Sequence, residues 1–257
     1  MCKSLLFFFL VLLVWTATAC RAERLQAEES AADKESALNF IAQADKLYAQ
    51  REDLAQARQA IALLRQARNA DFTNYEAAWK LAKFNYYLGD FTNGGDERER
   101  SFRDGIEAGK TAVKLQPEKP EGHFWLGANY GGKAKASTLS GFSAIKDIRQ
   151  EMETVLRLDE GFESGSAYMA LGQLYLEAPG MFGGDSHKAV EILEKGLHYG
   201  VNNPLYRLQL AKAYLAVKRK DEARKQLNAL MDIKPDPLYL PEFKRATEDA
   251  RKLLDKN

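Results

Sequence analysis

Apolar and small residues recur along this chain at helical spacing, and the recurrence itself repeats. A leucine followed directly by alanine or glycine stands at positions 81, 126, 171 and 210, at intervals of 45, 45 and 39 residues. A tyrosine follows four residues after each of the last three leucines, which places it on the same helix face. Helices between these anchors carry small or apolar residues seven apart, at Ala60 and Ala67, Gly105 and Ala112, Ala189 and Gly196, and Ala223 and Leu230.

This alternation resembles the tetratricopeptide repeat, a pair of antiparallel helices spanning 34 residues. Small residues let the two helices of a pair approach closely, and large residues fill the gap to the next pair. The last unit, Pro204 to Pro237, has the length of 34 residues, whereas the earlier units are longer. The sequence therefore predicts an all-α, tetratricopeptide-like solenoid over residues 37–257, with about five antiparallel helix pairs and a C-terminal capping helix. The predicted pairs are 37–70, 75–117, 120–160, 165–201 and 204–235, and the cap runs from about Pro241 to Leu254.

The extra length of the earlier units falls mostly between the two helices of a pair. Three segments there contain a Gly-Gly pair, namely Phe91–Asp96, Tyr130–Lys135 and Pro179–Asp185. Because glycine takes positive φ without steric cost, we expect these segments to form turns or loops. Asp185 is expected to cap the helix that follows it.

The first twenty residues have the features of an export signal. Lys3 gives a positive start, and Leu5–Trp15 is an unbroken apolar run of 11 residues. That run is shorter than the roughly 20 residues of a membrane-spanning helix, but it is typical of a signal-peptide core. Small residues then lead to Cys20, in a segment that resembles the bacterial lipobox. The resemblance implies that residues 1–19 are removed and that Cys20 is lipidated. Ordinary cleavage after Ala19, which would give a soluble secreted or periplasmic protein, is the alternative.

Residues 20–36 are polar and poor in large apolar groups, which predicts a lipid-anchored tether ahead of the folded domain. Cys2 leaves with the signal, so Cys20 is the only cysteine of the mature chain. An intramolecular disulfide and a cysteine-based metal site are thereby excluded.

Charge and motifs argue against several classes of function. The chain has 37 basic and 36 acidic residues, whereas a nucleic-acid-binding protein needs a basic excess. His123, His187 and His198 lack the spacing of a zinc site. Neither a Walker-type loop nor a nucleophile elbow is present. We therefore predict no enzymatic activity, no cofactor and no metal site.

Two segments narrow the repeat assignment. The chain resembles the T-component lipoproteins associated with TRAP transporters. The likeness lies in the segments His123–Lys133 and Leu171–Asp185, together with the lipobox, the short tether and the long inserts. The resemblance covers about residues 37 to 235. It implies a periplasmic protein that can form homotrimers and that works beside a solute-binding protein, delivering or accepting a small apolar or carboxylate solute.

In such solenoids the first helix of each pair lines the concave wall. Counting from the leucine anchors predicts an apolar binding wall, in which Lys83 and Lys212 are the polar groups that can contact a ligand. Contiguous apolar surface marks an interaction site, and such walls suit small ligands. For Trp79, Tyr86 and Phe124 the alternative is that they fill the core between repeats. The predicted ligand- or partner-binding residues are Trp79, Lys83, Tyr86, Tyr87, Phe124, Met169, Gln173 and Lys212.

The inserts supply a second set of candidates, Tyr130, Lys133, Lys135 and Phe182. The two lysines could meet a carboxylate, although solvated surface charges are the more common arrangement. Phe182 could equally pack under its own loop.

These observations favour an exported binding module on the periplasmic side of a membrane, held there by its N-terminal lipid. Our first hypothesis is an accessory of an envelope solute-transport system that binds a solute receptor and could also bind the solute. The alternative is a scaffold that assembles an envelope complex through its concave groove. A third hypothesis is an unrecognised hydrolase. An enclosed apolar cavity would favour the first hypothesis, and an open groove with alternating polar contacts would favour the second.

Overall fold

The computed structural model describes residues 31–136 and 144–256, and every regular element within these ranges is helical. The all-α solenoid is therefore confirmed. The expected signal peptide and Cys20 lie outside the described residues. Of the expected tether, residues 31–36 are already helical.

Eleven α-helices occupy the described ranges, and consecutive helices form antiparallel pairs. The pairs are α1 with α2, α3 with α4, α5 with α6, α7 with α8, and α9 with α10, as the repeat spacing predicts. The last helix, α11, packs on α9 and α10 through Ala246 and Ala250. The bounds are α1 31–48, α2 Leu54–Ala70, α3 Tyr75–Phe91, α4 Gly95–Leu115, α5 Pro120–Ala136, α6 Ala144–Leu158, α7 Phe162–Glu177, α8 Ser186–Gly196, α9 Pro204–Ala216, α10 Lys220–Met231 and α11 Leu240–Lys256.

Small residues bring the helices of a pair together, as expected. A Cβ atom added at Gly127 would lie less than 3.0 Å from the side chain of Met152 on α6. At Gly172 the same atom would lie less than 3.0 Å from Leu193 on α8. Both glycines are thus required by close helix packing rather than by backbone conformation.

The prediction of a loop over Tyr130–Lys135 is wrong, because these residues form the last turns of α5. Gly132 sits there because a Cβ atom at this position would clash with the ring of Phe102 on α4. The Gly-Gly pair therefore serves helix packing within a continuous helix. Gly94, the residue before α4, also has a negative φ of −80°.

The insert before α8 does form a loop. Gly183 has a φ of +90°, which only glycine adopts without strain, and a short 3₁₀ turn, Gly180–Phe182, precedes it. Asp185 caps α8 by accepting hydrogen bonds from the backbone N–H groups of His187 and Lys188. The predicted cap is confirmed.

The start of α7 is distorted. Glu163, Ser164 and Gly165 have φ values of 44°, 61° and 75°, in the left-handed region. For residues that carry a Cβ atom this conformation costs roughly 1–2 kcal/mol each. The Oγ atom of Ser166 donates a hydrogen bond of 2.6 Å to the carbonyl of Glu163, which helps to hold the distorted turn.

Candidate binding cavity

The concave side of the solenoid lines a partly open cavity of 1410 Å³. We call this space the central cavity. The first helices of the first four pairs supply about half of its wall, and much of the rest comes from the connection between α8 and α9, the segment ahead of α11 and α11 itself. Pockets for small molecules occupy about 300–1,000 Å³, so the central cavity is larger than one compact ligand needs.

Contacts between the two ends of the repeat array complete the ring. Arg51, in the turn between α1 and α2, bonds to Glu242 on α11 and to the carbonyl of Leu238. Arg245 of α11 lies 2.5 Å from Asp90 at the end of α3, and its guanidinium stacks 4.2 Å from the centre of the Phe91 ring. Charged side chains therefore hold α11 against the first two helix pairs.

Aromatic rings form much of the wall. The ring of Tyr87 stacks on Phe91 at 4.3 Å and meets the edge of Tyr48 at 5.7 Å. On the neighbouring repeat, Trp125 packs 4.9 Å from Phe124. Burial raises the pKa of Tyr87, so this phenol stays neutral and the wall stays largely apolar.

The charges that line the cavity are mostly paired. Lys83 Nζ lies 3.0 Å from Glu163 Oε1, and at the rim Lys135 Nζ lies 3.3 Å from Glu177 Oε2. Together with the pairs made by Arg51 and Arg245, these contacts leave the lining close to neutral. Such a lining suits a guest that is mainly apolar rather than one with several charges of the same sign.

The structure brings many of the predicted wall residues to this cavity. Tyr87 and Phe124 line it but are only 3% and 7% exposed, so they belong to the core as well as to the wall. Trp79 instead packs against the small cluster that contains Tyr75 and against the main hydrophobic cluster. The predicted residues that line the cavity are Lys83, Tyr86, Tyr87, Phe124, Met169, Gln173 and Lys135.

The remaining candidates stand elsewhere. Trp79, Lys212, Tyr130, Lys133 and Phe182 do not line the central cavity. Tyr130 packs against the main hydrophobic cluster, and Phe182 lies in the exposed 3₁₀ turn.

Sequence reasoning missed the residues that close the cavity. Arg51, Glu242 and Arg245 lie at opposite ends of the chain and carry no shared local pattern. Glu163 was missed as well, although a run of polar and small residues interrupts the apolar pattern at the start of α7. Only the curvature of the stacked pairs brings these positions together.

His123 has a structural environment within the core. Its Nδ1 atom lies 2.6 Å from Glu151 and its Nε2 atom 2.9 Å from the carbonyl of Pro117. Burial opposes the protonated form, but the two acceptors and the charge of Glu151 outweigh it and raise the pKa of His123. The protonated ring can donate hydrogen bonds to both acceptors, so it joins α5 to α6 and to the loop between α4 and α5.

Residues 31–136 and 144–256 show neither a metal-binding cluster nor a membrane-spanning helix. Within them no group of three or more histidine, cysteine or acidic residues is placed to hold a metal ion. None of the helices described there combines the length and hydrophobicity needed to cross a bilayer.

The chain is similar to two families along its length. The family model described as "Regulator of microtubule dynamics protein 1-3" matches residues 40–181, more than half of the chain. A tetratricopeptide-repeat model matches residues 183–241. No functionally curated protein matches the sequence.

Solved structures show the same fold. A thermophilic TPR protein in Thermus thermophilus superposes with a TM-score of 0.60 and 22% identity, over 82% of this chain and 98% of that protein. The protein pilF of Pseudomonas aeruginosa gives a TM-score of 0.55 with 17% identity, over 88% and 93% of the two chains. MamA gives 0.50 with 21% identity, over 77% and 91%. The tetratricopeptide solenoid is a fold that generally binds protein partners.

Proposed function

The chain belongs to the regulator of microtubule dynamics protein 1-3 family, and we propose that it is a non-enzymatic binding module. In this proposal the central cavity holds an elongated, largely apolar small molecule. Tetratricopeptide solenoids present concave surfaces to their partners, and they typically serve as scaffolds rather than catalysts. The family name refers to microtubules. Because we also propose that this chain is exported, we do not extend that role to it.

The observation that carries the proposal is the set of contacts that joins the two ends of the repeat array around the concave face. An extended peptide partner would be served by an open groove, whereas here α11 and Arg51 complete a ring of contacts around 1410 Å³ of space with a mainly apolar wall that includes several aromatic side chains. Removal of apolar surface from water drives the binding of an apolar guest, at roughly 25 cal/mol per Å² buried. We propose an elongated guest because 1410 Å³ exceeds the roughly 300–1,000 Å³ of pockets that hold compact ligands.

The proposed location is the periplasmic side of a membrane, with Cys20 as the lipid-bearing residue. Support for this comes from the apolar run Leu5–Trp15 and from the small residues before Cys20. A lipidated module next to a bilayer is well placed to pass an apolar molecule to or from a second protein.

The proposed protein partner is a solute receptor of an envelope transport system, which docks at the mouth of the cavity. We define the mouth by four apolar side chains that line the cavity and are also exposed to solvent. They give a receptor an apolar surface next to the guest, as interaction sites commonly do. These residues are Tyr199, Val201, Leu238 and Tyr239.

A matched pair of methionine substitutions tests the cavity. Met169 lines it, whereas Met181 is 85% exposed and does not line it. Protein extracted from its native membrane in mild detergent should carry a small-molecule mass in native mass spectrometry. The Met169→Lys variant should lose that mass because it buries a charge in the apolar wall, and Met181→Lys should keep it.

The contrary result is equally definite. If no bound small molecule is found with the wild-type chain, or if both lysine variants retain it, the central cavity is not the binding site. In that case a protein that co-purifies stoichiometrically with both variants would support the scaffold function instead.

A further inference from the structure

An ion pair crosses the wall of the central cavity between residues 80 positions apart. Lys83 of α3 and Glu163 at the start of α7 lie 3.0 Å apart and both line the cavity. Their side chains are 17% and 25% exposed. The pair is therefore shielded from bulk water but accessible from the space that holds the guest.

The lysine stands among aromatic rings. Its Nζ atom lies 5.0 Å from the centre of the Trp125 ring and 6.0 Å from that of Trp79. Trp125 is 8% exposed, and its Nε1–H group has no hydrogen-bond acceptor in the described part of the chain. Buried donors are normally satisfied, so this corner of the wall lacks an acceptor.

The glutamate is presented by an unfavourable backbone. Glu163 and Ser164 both have left-handed dihedral angles, which disfavour residues that carry a Cβ atom. Strained turns of this kind concentrate at ligand clamps and switch regions, where a change of conformation releases the strain. A backbone change at Glu163 and Ser164 that relaxes these angles would also move the Glu163 carboxylate away from Lys83.

The other cations of the lining are less suited to receive a guest. Arg51 is buried against Glu242, and Arg245 is held by Asp90 and by the ring of Phe91. Arg207 donates to the carbonyl of Val201 and to Gln226. Lys135 and Lys234 are exposed at the rim. Lys83 alone among the lining cations of the described residues combines shielding, aromatic surroundings and a partner on a strained turn.

We propose that Lys83 anchors the carboxylate of an amphiphilic guest and that Glu163 occupies this position as an internal stand-in while the cavity is empty. The inference rests on the proposed function, since it names the polar group of the guest that the cavity holds. The carboxylate of Glu163 shows that the site accommodates such a group. Exchange keeps one carboxylate on Lys83, and the displaced Glu163 becomes hydrated at the cavity edge.

The experiment compares an acid with its neutral ester. Dodecanoate and methyl dodecanoate have the same alkyl chain and differ at the group that would meet Lys83. Each is titrated into the full chain below its aggregation concentration, at neutral pH, with tryptophan fluorescence and calorimetry as readouts. The wild-type chain should bind the acid several-fold more tightly than the ester, since only the acid contacts the ammonium group.

Three variants test the assignment. In Glu163→Gln the ammonium group of Lys83 loses its charged partner and is free to bind the acid. The preference for the acid over the ester should then increase by on the order of tenfold, the gain expected from one charged contact. Lys83→Met should abolish the preference while leaving ester binding intact. Lys80→Met is the matched control, because Lys80 lies on the same helix and pairs with Asp45 and Glu76 but does not line the cavity. Circular dichroism checks that all variants are folded.

Each other outcome overturns the inference in a distinguishable way. If the wild-type chain and Glu163→Gln bind acid and ester with equal affinity, Lys83 is not a carboxylate site, although the apolar cavity is still a binding site. A preference for the acid that survives Lys83→Met also overturns it. If neither probe binds the wild-type chain or Glu163→Gln, the proposed cavity function fails as well.

Discussion

The Nη2 atom of Arg51 lies 3.0 Å from both carboxylate oxygens of Glu242, although the two residues are 191 positions apart in the chain. The side chain of Arg51 is 4% exposed and that of Glu242 is 17% exposed. The guanidinium also stacks on Tyr48 at 4.7 Å and on Tyr87 at 5.1 Å. This contact joins the first helix pair to the last helix and turns an open solenoid into a ring.

Loss of the buried Arg51–Glu242 pair should destabilise the fold more than loss of an exposed ion pair. Arg51→Ala leaves the carboxylate of Glu242 without its partner in a partly buried site, so the free energy of unfolding should fall by about 3 kcal/mol. The loss should appear in urea-induced unfolding, and α11 should exchange its amide hydrogens faster.

Lys244→Ala is the control for that measurement, because Lys244 joins α11 to Glu52 on the same side of the ring. The side chains of Lys244 and Glu52 are both more than half exposed, at 55% and 58%. A pair of this kind contributes about 0–1 kcal/mol. If the two variants lose equal stability, burial of Arg51 does not determine the closure.

Gly127→Leu and Gly172→Leu should each destabilise the stack, by about 1–3 kcal/mol or more. Each added side chain would collide with the facing helix of its own pair, at Met152 or Leu193. Gly95→Leu is the control, because a Cβ atom there meets nothing within 4 Å. Thermal midpoints that fall equally in all three variants would contradict the assigned packing.

His123 should make the stability of the fold depend on pH. Its pKa is raised in the folded state, so its contribution is fully present below the unfolded value of about 6.5. That contribution is lost as the pH rises through the folded pKa. The free energy of unfolding should therefore decrease as the pH increases from about 6.5.

The His123→Gln variant should show a flatter pH profile over that interval. His187→Gln, which changes an exposed histidine at the start of α8, should keep the slope of the wild-type chain. Chemical unfolding at a series of pH values provides the comparison. A slope that survives His123→Gln would assign the titration to another group.

Changing Cys20 to Ser should release the protein from the membrane fraction, because Cys20 carries the proposed lipid anchor. Two acylation signals are needed for stable anchoring, and lipoprotein processing supplies several acyl chains at this one residue. Fractionation of cells that express either form is the measurement. A serine variant that still sediments entirely with membranes would rule out the lipid anchor.

The sequence by itself determined the helices and the way they pair. Leucine anchors such as Leu126 and Leu171, with a small residue after each, repeat at intervals that fix the phase of every helix pair. This information is local, because helix formation and packing within a pair depend on residues three, four and seven positions apart. The bounds of the five pairs could therefore be predicted closely.

Local sequence patterns were ambiguous where the same residue type can serve two structural roles, such as a glycine that can form a turn or allow close helix packing. The Gly-Gly pair at Gly131 and Gly132 predicted a turn, but only the packed structure shows that Phe102 needs the space above Gly132. Tyr87 was predicted to lie on an exposed wall, and it does line the cavity, yet the stacked Arg51 covers it.

The central cavity was decided by tertiary structure alone. Each helix pair adds a small rotation to the next; the sum over the whole stack brings Arg51 to Glu242, and the sum from the second to the fourth pair brings Lys83 to Glu163. No local pattern encodes that sum, because it depends on the side-chain volumes at every interface between pairs. The sequence specified the repeating unit, and the curvature accumulated along the stack determined which residues of distant units meet around the central cavity.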